Sequence, residues 1–139
     1  MQSEIKRKIN SMNLVLYIGE VELDAADDLP LMRAASVKQA LGIYVHYMPD
    51  VVIFDGESIE ARLAFEHLAD VVVSSPYGMD ALLVVNARGC CWDTPDGAVL
   101  HQVPEVPDAK TLRILLEAVT RERRVRLEAR HRKPMGVIR

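Results

Sequence analysis

The chain has little with which to staple, anchor or export itself. Its 139 residues include two cysteines, Cys90 and Cys91, and adjacent thiols cannot bridge distant segments or supply the ligand set of a structural zinc site. They read as a reduced packing pair, with a thiol or redox role as the alternative. No uncharged run approaches the roughly 18 to 20 apolar residues of a membrane helix. Lys6, Arg7 and Lys8 are not followed by the apolar segment and small-residue cleavage site of a secretory signal, so the expected location is the cytoplasm. Aromatic residues make up only 5%, with Trp92 the single tryptophan, which leaves few stacking platforms for single-stranded nucleic acid. No Gly-rich phosphate loop follows the first apolar run, and no Ser-His-Asp or metalloprotease spacing occurs. Repeats and low-complexity stretches are absent as well.

Charge is scarce in net terms, −3, but unevenly placed. Residues 1–109 hold 7 basic and 17 acidic side chains, a net of −10, whereas residues 110–139 hold 10 basic and 3 acidic, a net of +7. The basic end suits nucleic acid, an acidic protein, or the acidic body of a neighbouring copy. The acidic body would repel nucleic acid, which is therefore not the expected partner.

What the chain does contain is organised around Pro49–Gly56, reading Pro-Asp-Val-Val-Ile-Phe-Asp-Gly. Four apolar residues in a row suit a parallel strand covered on both faces. Ligands of open α/β sheets collect beyond the carboxyl ends of such strands, which makes Asp55 the first candidate site residue. Leu14–Ile18 is a buried first strand. The acidic loop after it, with Glu20, Glu22, Asp24, Asp27 and Asp28, holds at most one helical turn and reads as solvated. Glu20 is its candidate ligand for a divalent cation. Leu31–Ala35 is a second strand, and Ser36 with Gln39 has the form of a capping box. Val37, Ala40, Leu41 and Tyr44 share one face of the helix that follows, which ends before Pro49.

Ser58 caps a further helix to about Leu68, with Ile59, Leu63, Phe65 and Ala69 as candidates to cover the sheet and His67 at the surface. Asp70–Ser75 reads as a β-branched strand stopped by Pro76-Tyr77-Gly78, placing the Ser74 and Ser75 hydroxyls in the same crevice as Asp55. Residues 79–88 suit helix or strand. Cys90–Trp92 and Ala98–Val103 flank Thr94-Pro95-Asp96-Gly97, the composition of a turn, and so suggest a hairpin extending the sheet. A last helix starts near Asp108 with Leu112, Leu115, Leu116 and Val119 as its packing face, continues into the arginines at 121, 123, 124 and 126, and gives way to a tail over His131–Arg139. The alternation implies an α/β fold, a three-layer open parallel sheet with right-handed crossovers. Residues 1–13 form an arm, 14–120 the domain, and 121–139 a basic extension.

From Ala34 to Gly56 the chain resembles the receiver domain of two-component response regulators: a strand ending Ala-Ala-Ser, a helix with Gln39-Ala40-Leu41, then the Pro49–Gly56 strand. The likeness extends over most of residues 14–120. It implies a flavodoxin-like fold with Asp55 as the phosphoacceptor, Val71–Ser74 as the fourth strand and Ser74 or Ser75 as the switch hydroxyl. The family's acidic pair for Mg²⁺ falls on Gly19 and Glu20, so one carboxylate is missing. Its lysine before proline is replaced by Gln102 and Val103 ahead of Pro104. The first crossover, 12 residues from Gly19 to Pro30, is too short for a normal helix.

A retained aspartate beside lost metal and cation positions favours a non-catalytic signalling or regulatory interaction module on a degenerate receiver-like scaffold. It would need no cofactor and would self-associate, as a homodimer, or bind a protein partner through the terminal helix. One alternative is a Mg²⁺-dependent phosphoacceptor, with Asp55 as nucleophile, Glu20 and Asp55 holding the metal and Ser74 or Ser75 contacting the phosphoryl oxygens. Another is a small flavodoxin-like ligand-binding domain or enzyme. No membrane partner is expected.

Overall fold

Three strands are buried at every position, as helix- or loop-covered strands of a parallel sheet must be: β1 (Val15–Ile18), β3 (Val51–Asp55) and β4 (Ala81–Val85). The computed structural model describes residues 14–25, 29–74, 81–89, 92–93 and 98–137. Within these, β2 (Leu31–Ala34), α1 (Val37–Tyr47), α2 (Ile59–Ser74), β5 (Val99–Gln102) and α3 (Ala109–Val137) complete the fold. All five strands are parallel in the order β2-β1-β3-β4-β5. Leu31, Val15, Val51, Ala81 and Val99 stand in one row across the sheet. This is the flavodoxin-like strand order, and its direction of winding reverses between β1 and β3. The architecture is a three-layer α/β sandwich of the flavodoxin and Rossmann class.

Alternate residues feed two cores. On one face Leu16, Ile18, Val52, Phe54, Leu82 and Val84 meet α1 and α2 through Ala40, Ala61, Ala64, Phe65 and Leu68. Trp92 closes this core, its ring 4.7 Å from Phe65 and 5.7 Å from Phe54, with the Arg62 guanidinium 5.2 Å over it. On the other face Val15, Tyr17, Val51, Ile53, Leu83, Val85 and Val99 meet Leu112, Leu116 and Val119 of α3. Each of those three α3 side chains is fully buried, a stabilisation of about 1.5–3 kcal/mol apiece. No helix covers β1 and β2 on this face among the described residues. The β1–β2 loop does so instead, inserting Leu23 with Ala25 and Leu29 beside it. The expected atypical first crossover is thus a loop that packs as a lid, without a helical turn in the residues described.

Helix starts follow the expected chemistry. The Ser36 Oγ accepts from the Gln39 N–H at 3.2 Å, while the Gln39 Oε1 accepts from Ala35 N–H at 2.9 Å, one residue further back than an ideal capping box. Helix α1 stops at Met48, which takes a left-handed φ of 51° and donates its N–H to the Tyr44 carbonyl before Pro49. The Ser58 Oγ accepts from Ala61 N–H at 3.1 Å.

Several expectations are corrected. The segment expected as a strand over Asp70–Ser75 is instead the end of α2, which runs to Ser74; Ser75 lies outside the described residues. Once a helix is nucleated each added residue gains a hydrogen bond, and the slot beside β3 is filled by Ala81–Val85, so β propensity at three valines does not decide the outcome. The two-way segment at 79–88 contains that strand. Ile59 and Leu63, expected to cover the sheet, are 76% and 41% exposed, because the buried stripe of α2 falls on Ala61, Ala64, Phe65 and Leu68. Of the expected hairpin only β5 is a strand among the described residues, and it pairs in parallel with β4. The Gln102 side chain takes the place of a second arm, donating to the Trp92 carbonyl at 2.9 Å and accepting from its N–H at 3.0 Å. Finally, the residues expected as a tail from His131 continue α3 as far as Val137. Cys90, Cys91 and residues 1–13 lie outside the described residues. No helix among those described is long and apolar enough to cross a membrane.

Candidate functional site

Asp55 ends β3 at the winding reversal, beside the loop that leaves β1. It is 2% exposed. One oxygen, Oδ2, accepts from the backbone N–H groups of Glu20 at 3.3 Å and Val21 at 3.2 Å. The other, Oδ1, accepts from the Glu57 N–H at 3.0 Å and the Asn86 Nδ2 at 3.2 Å. An ionised carboxylate offers about four acceptor positions, and here the β1–β2 loop, the β3–α2 turn and the end of β4 occupy them all.

The residues around Asp55 are shaped for this contact. A Cβ on Gly19 would lie 2.3 Å from the Asp55 Cβ and 2.8 Å from the Tyr17 hydroxyl, so only glycine lets the loop cross so closely. Gly56 donates to the Val85 carbonyl at 2.7 Å, and a Cβ there would sit 2.7 Å from the Asn86 carbonyl oxygen. Asn86 itself is 4% exposed with φ of 56°, a left-handed conformation that asparagine tolerates better than most residues. Tyr17 donates to the Val21 carbonyl at 2.6 Å and so ties the same loop. Burial pushes its hydroxyl well above the usual tyrosine range, with the Asp55 charge adding to the effect and Arg33 opposing it. Arg33 lies 5.8 Å from the Tyr17 ring centroid and donates to the Leu23 carbonyl at 3.2 Å.

The other expected site residues do not join this cluster. Glu20 reaches Asp55 through its backbone N–H, and the residue is exposed. Ser74 ends α2, the helix that returns from the carboxyl end of β3 to the amino end of β4, and therefore lies at the opposite edge of the sheet. At the position of the family's lysine, Gln102 bonds to Trp92, and Val103 is joined to the sheet by its own N–H to Val84 and by accepting from Ala87. Asn86, Tyr17 and the Glu57 N–H were not singled out in the sequence, and Gly19 only as the place of a missing acid. The asparagine closing an apolar run and the glycine directly after the first strand were the available signals.

A Mg²⁺ ion as the receiver likeness implies does not fit these residues. Its ligand oxygen on Asp55 would have to give up a bond to the protein, and Gly19 stands where the receiver pattern has one of its two acids. Among the described residues no group of three His, Cys, Asp or Glu side chains gathers to hold a metal.

The same self-satisfaction extends along the carboxyl edge of the sheet, where helix N-termini in this fold class ordinarily receive anions. The Glu60 carboxylate of α2 accepts from the first N–H of α1, at Val37, at 2.8 Å. The Asp108 carboxylate accepts from Thr111 N–H at 2.8 Å at the start of α3, a bond that holds it below the usual carboxylate range. The Ser36 and Ser58 hydroxyls each accept one further first-turn N–H, from Gln39 and Ala61. Each helix start thus has its own internal acceptor in place of a phosphate.

Away from this edge, α3 is clamped to β5 by His101 and Glu122, 2.8 Å apart, with Arg126 on the other Glu122 oxygen. The His101 hydrogen bond, and then Arg126, hold the Glu122 carboxyl below its ordinary value of 4.5. A carboxylate depressed in the folded state stabilises it above the ordinary value, and this is lost as pH falls through the folded one. Glu122→Gln is therefore expected to cost a few tenths to about 1 kcal/mol near pH 6. The difference from wild type should shrink below pH 4.5, as followed by thermal unfolding against pH.

Comparison with protein-family models, curated proteins and solved structures yields no match. Strand order and layers alone place the chain in its fold class.

Proposed function

We propose that this protein is a non-catalytic regulatory interaction module that self-associates, with Asp55 serving as an internal brace. The observation that carries this reading is the complete occupation of the Asp55 carboxylate by four protein donors beneath the β1–β2 loop. A phosphoacceptor must present a free oxygen to the incoming phosphoryl group together with a cation that neutralises the developing charge. Here the oxygens are enclosed, the position matching the receiver lysine holds no cation, and Ser74, one of the two candidates for the switch hydroxyl, stands at the far edge. Glu60, Asp108, Ser36 and Ser58 each take a first-turn N–H of the helices that start at the carboxyl edge, which also weighs against a small-molecule enzyme. What the fold leaves available is surface, above all the half of α3 that extends past the sheet.

Incubation with acetyl phosphate and Mg²⁺, followed by intact and peptide mass measurement, tests the non-catalytic half of the proposal. The expected result is an unmodified chain. A phosphoryl adduct mapped to the peptide containing Asp55 would overturn it in favour of the phosphoacceptor. Sedimentation equilibrium tests the other half, with a dimer expected at tens of micromolar and low salt.

A further inference from the structure

The charge asymmetry of the sequence becomes a spatial polarity in the fold. Helix α3 starts at the carboxyl edge of the sheet, after β5, and runs back across β5, β4 and β3. Its 29 residues span about 43 Å, against about 17 Å for the five-residue strand β3. It therefore overruns the amino edge. Among the described side chains Val119 is its last fully buried residue, Glu122 bonds to the sheet through His101, and no side chain from 123 to 129 is buried. The segment from 123 to 137, about 22 Å long, carries Arg123, Arg124, Arg126, Arg130, Arg132 and Lys133 against the single acid Glu128. Val125 is 57% exposed on it. At the opposite end of the molecule, the β1–β2 loop presents Glu20, Glu22 and Asp24, all exposed, and Glu57 stands exposed on the next loop.

We infer that the overrunning half of α3 docks on a second copy of this chain, lying antiparallel along its body so that the arginines reach the acidic carboxyl edge, with the reciprocal contact made by the other helix. This rests on the self-association reading above and names its surface. Three observations select the occupant. The projecting length of about 22 Å is enough to cross a neighbour's sheet from its amino to its carboxyl edge. The charges are complementary between copies, −10 on residues 1–109 and +7 on residues 110–139. Pairing of the two projecting halves with each other would set like charges together, and nucleic acid laid along the helix would meet the acidic body. The antiparallel arrangement is isologous and closes as a dimer.

The test is a charge exchange in the full-length chain. One variant carries R130E, R132E and K133E, all on the far part of the overrunning segment and none at the Arg126 contact. The other carries E20K, E22K and D24K, which leave the backbone donors to Asp55 in place. Circular dichroism and Trp92 fluorescence establish that both fold. Sedimentation equilibrium is expected to give a wild-type dimer that weakens as salt rises from 50 to 500 mM, as about a threefold shorter Debye length requires. Each variant alone should associate more than about tenfold more weakly. An equimolar mixture should restore a dimer, since both reciprocal contacts are then again of opposite sign. If the wild type dimerises and either variant does so equally well, self-association stands and this surface is wrong. A wild type that stays monomeric at low salt removes both readings. Tight binding of a short DNA duplex by the wild type, abolished by R130E/R132E/K133E, would make nucleic acid the occupant and overturn the inference.

Discussion

Asp55→Ala is expected to lower the unfolding free energy by about 3–5 kcal/mol, the scale on which buried polar groups lose a charged partner. The substitution leaves the N–H groups of Glu20, Val21 and Glu57 and the amide of Asn86 without their acceptor, all close to a carboxylate that is 2% exposed. It also releases the β1–β2 loop, whose Leu23 closes the core over β1 and β2. Urea titration followed by Trp92 fluorescence measures the loss, since the single tryptophan sits against Phe54 and Phe65. A solvent-facing phosphoacceptor would behave as a surface residue, with a change within about 0.5 kcal/mol. The two readings of Asp55 therefore differ by several kcal/mol in an experiment that needs neither kinase nor partner. A cost below about 1 kcal/mol would rule out the brace.

Gly19→Ala should destabilise by about 3 kcal/mol, the upper part of the range for overpacking. Its added methyl would fall 2.3 Å from the Asp55 Cβ and 2.8 Å from the Tyr17 hydroxyl. Neither neighbour can yield easily, because Asp55 is held by four donors and Tyr17 by the Val21 carbonyl. The displaced segment carries the N–H groups of residues 20 and 21, so the double variant with Asp55→Ala should cost less than the two single losses added. Gly42→Ala is the matched control. That position lies within α1 with nothing within 4 Å of the added methyl, and the change should stabilise by about 0.5–1 kcal/mol through helix propensity. Opposite signs for the same substitution at two glycines would separate the close approach at residue 19 from any general effect of removing glycine. Equal effects would argue that the β1–β2 loop does not cross Asp55 in solution as described.

Much of the fold was legible in one dimension. Continuous apolar runs at Leu14–Ile18 and Val51–Phe54 announced buried parallel strands, and Ser36, Pro49, Ser58 and Asp108 marked where helices start and stop. The packing stripe at Leu112, Leu116 and Val119 followed from its spacing. What misled was local preference where two outcomes are close in energy. Asp70–Ser74, rich in valine, looks like a strand in isolation but continues a helix that has already been nucleated, and the strand comes later at Ala81–Val85. The same error carried Ser74 into the Asp55 crevice, when the helix delivers it to the other edge.

The candidate site was half visible. That a carboxylate closes the middle strand, where α/β sheets keep their chemistry, could be read directly, as could the departure from the receiver pattern at the second acid and the lysine. Its burial could not. An aspartate that awaits a phosphoryl group and one that binds three loops together carry the same letter and the same flanking residues. Their difference lies in donors from residues 20, 21, 57 and 86, as much as 35 positions away along the chain.

Residue order was sufficient for the alternation of strands and helices and for the opposed charges of body and terminal helix, because periodicity, caps and charge are local properties. The enclosure of Asp55, the helix over residues 70–74 and the separation of acidic and basic ends came from folding in three dimensions. Each depends on which distant segments win the same space, and that competition is settled by packing and hydrogen-bond satisfaction across the whole sheet.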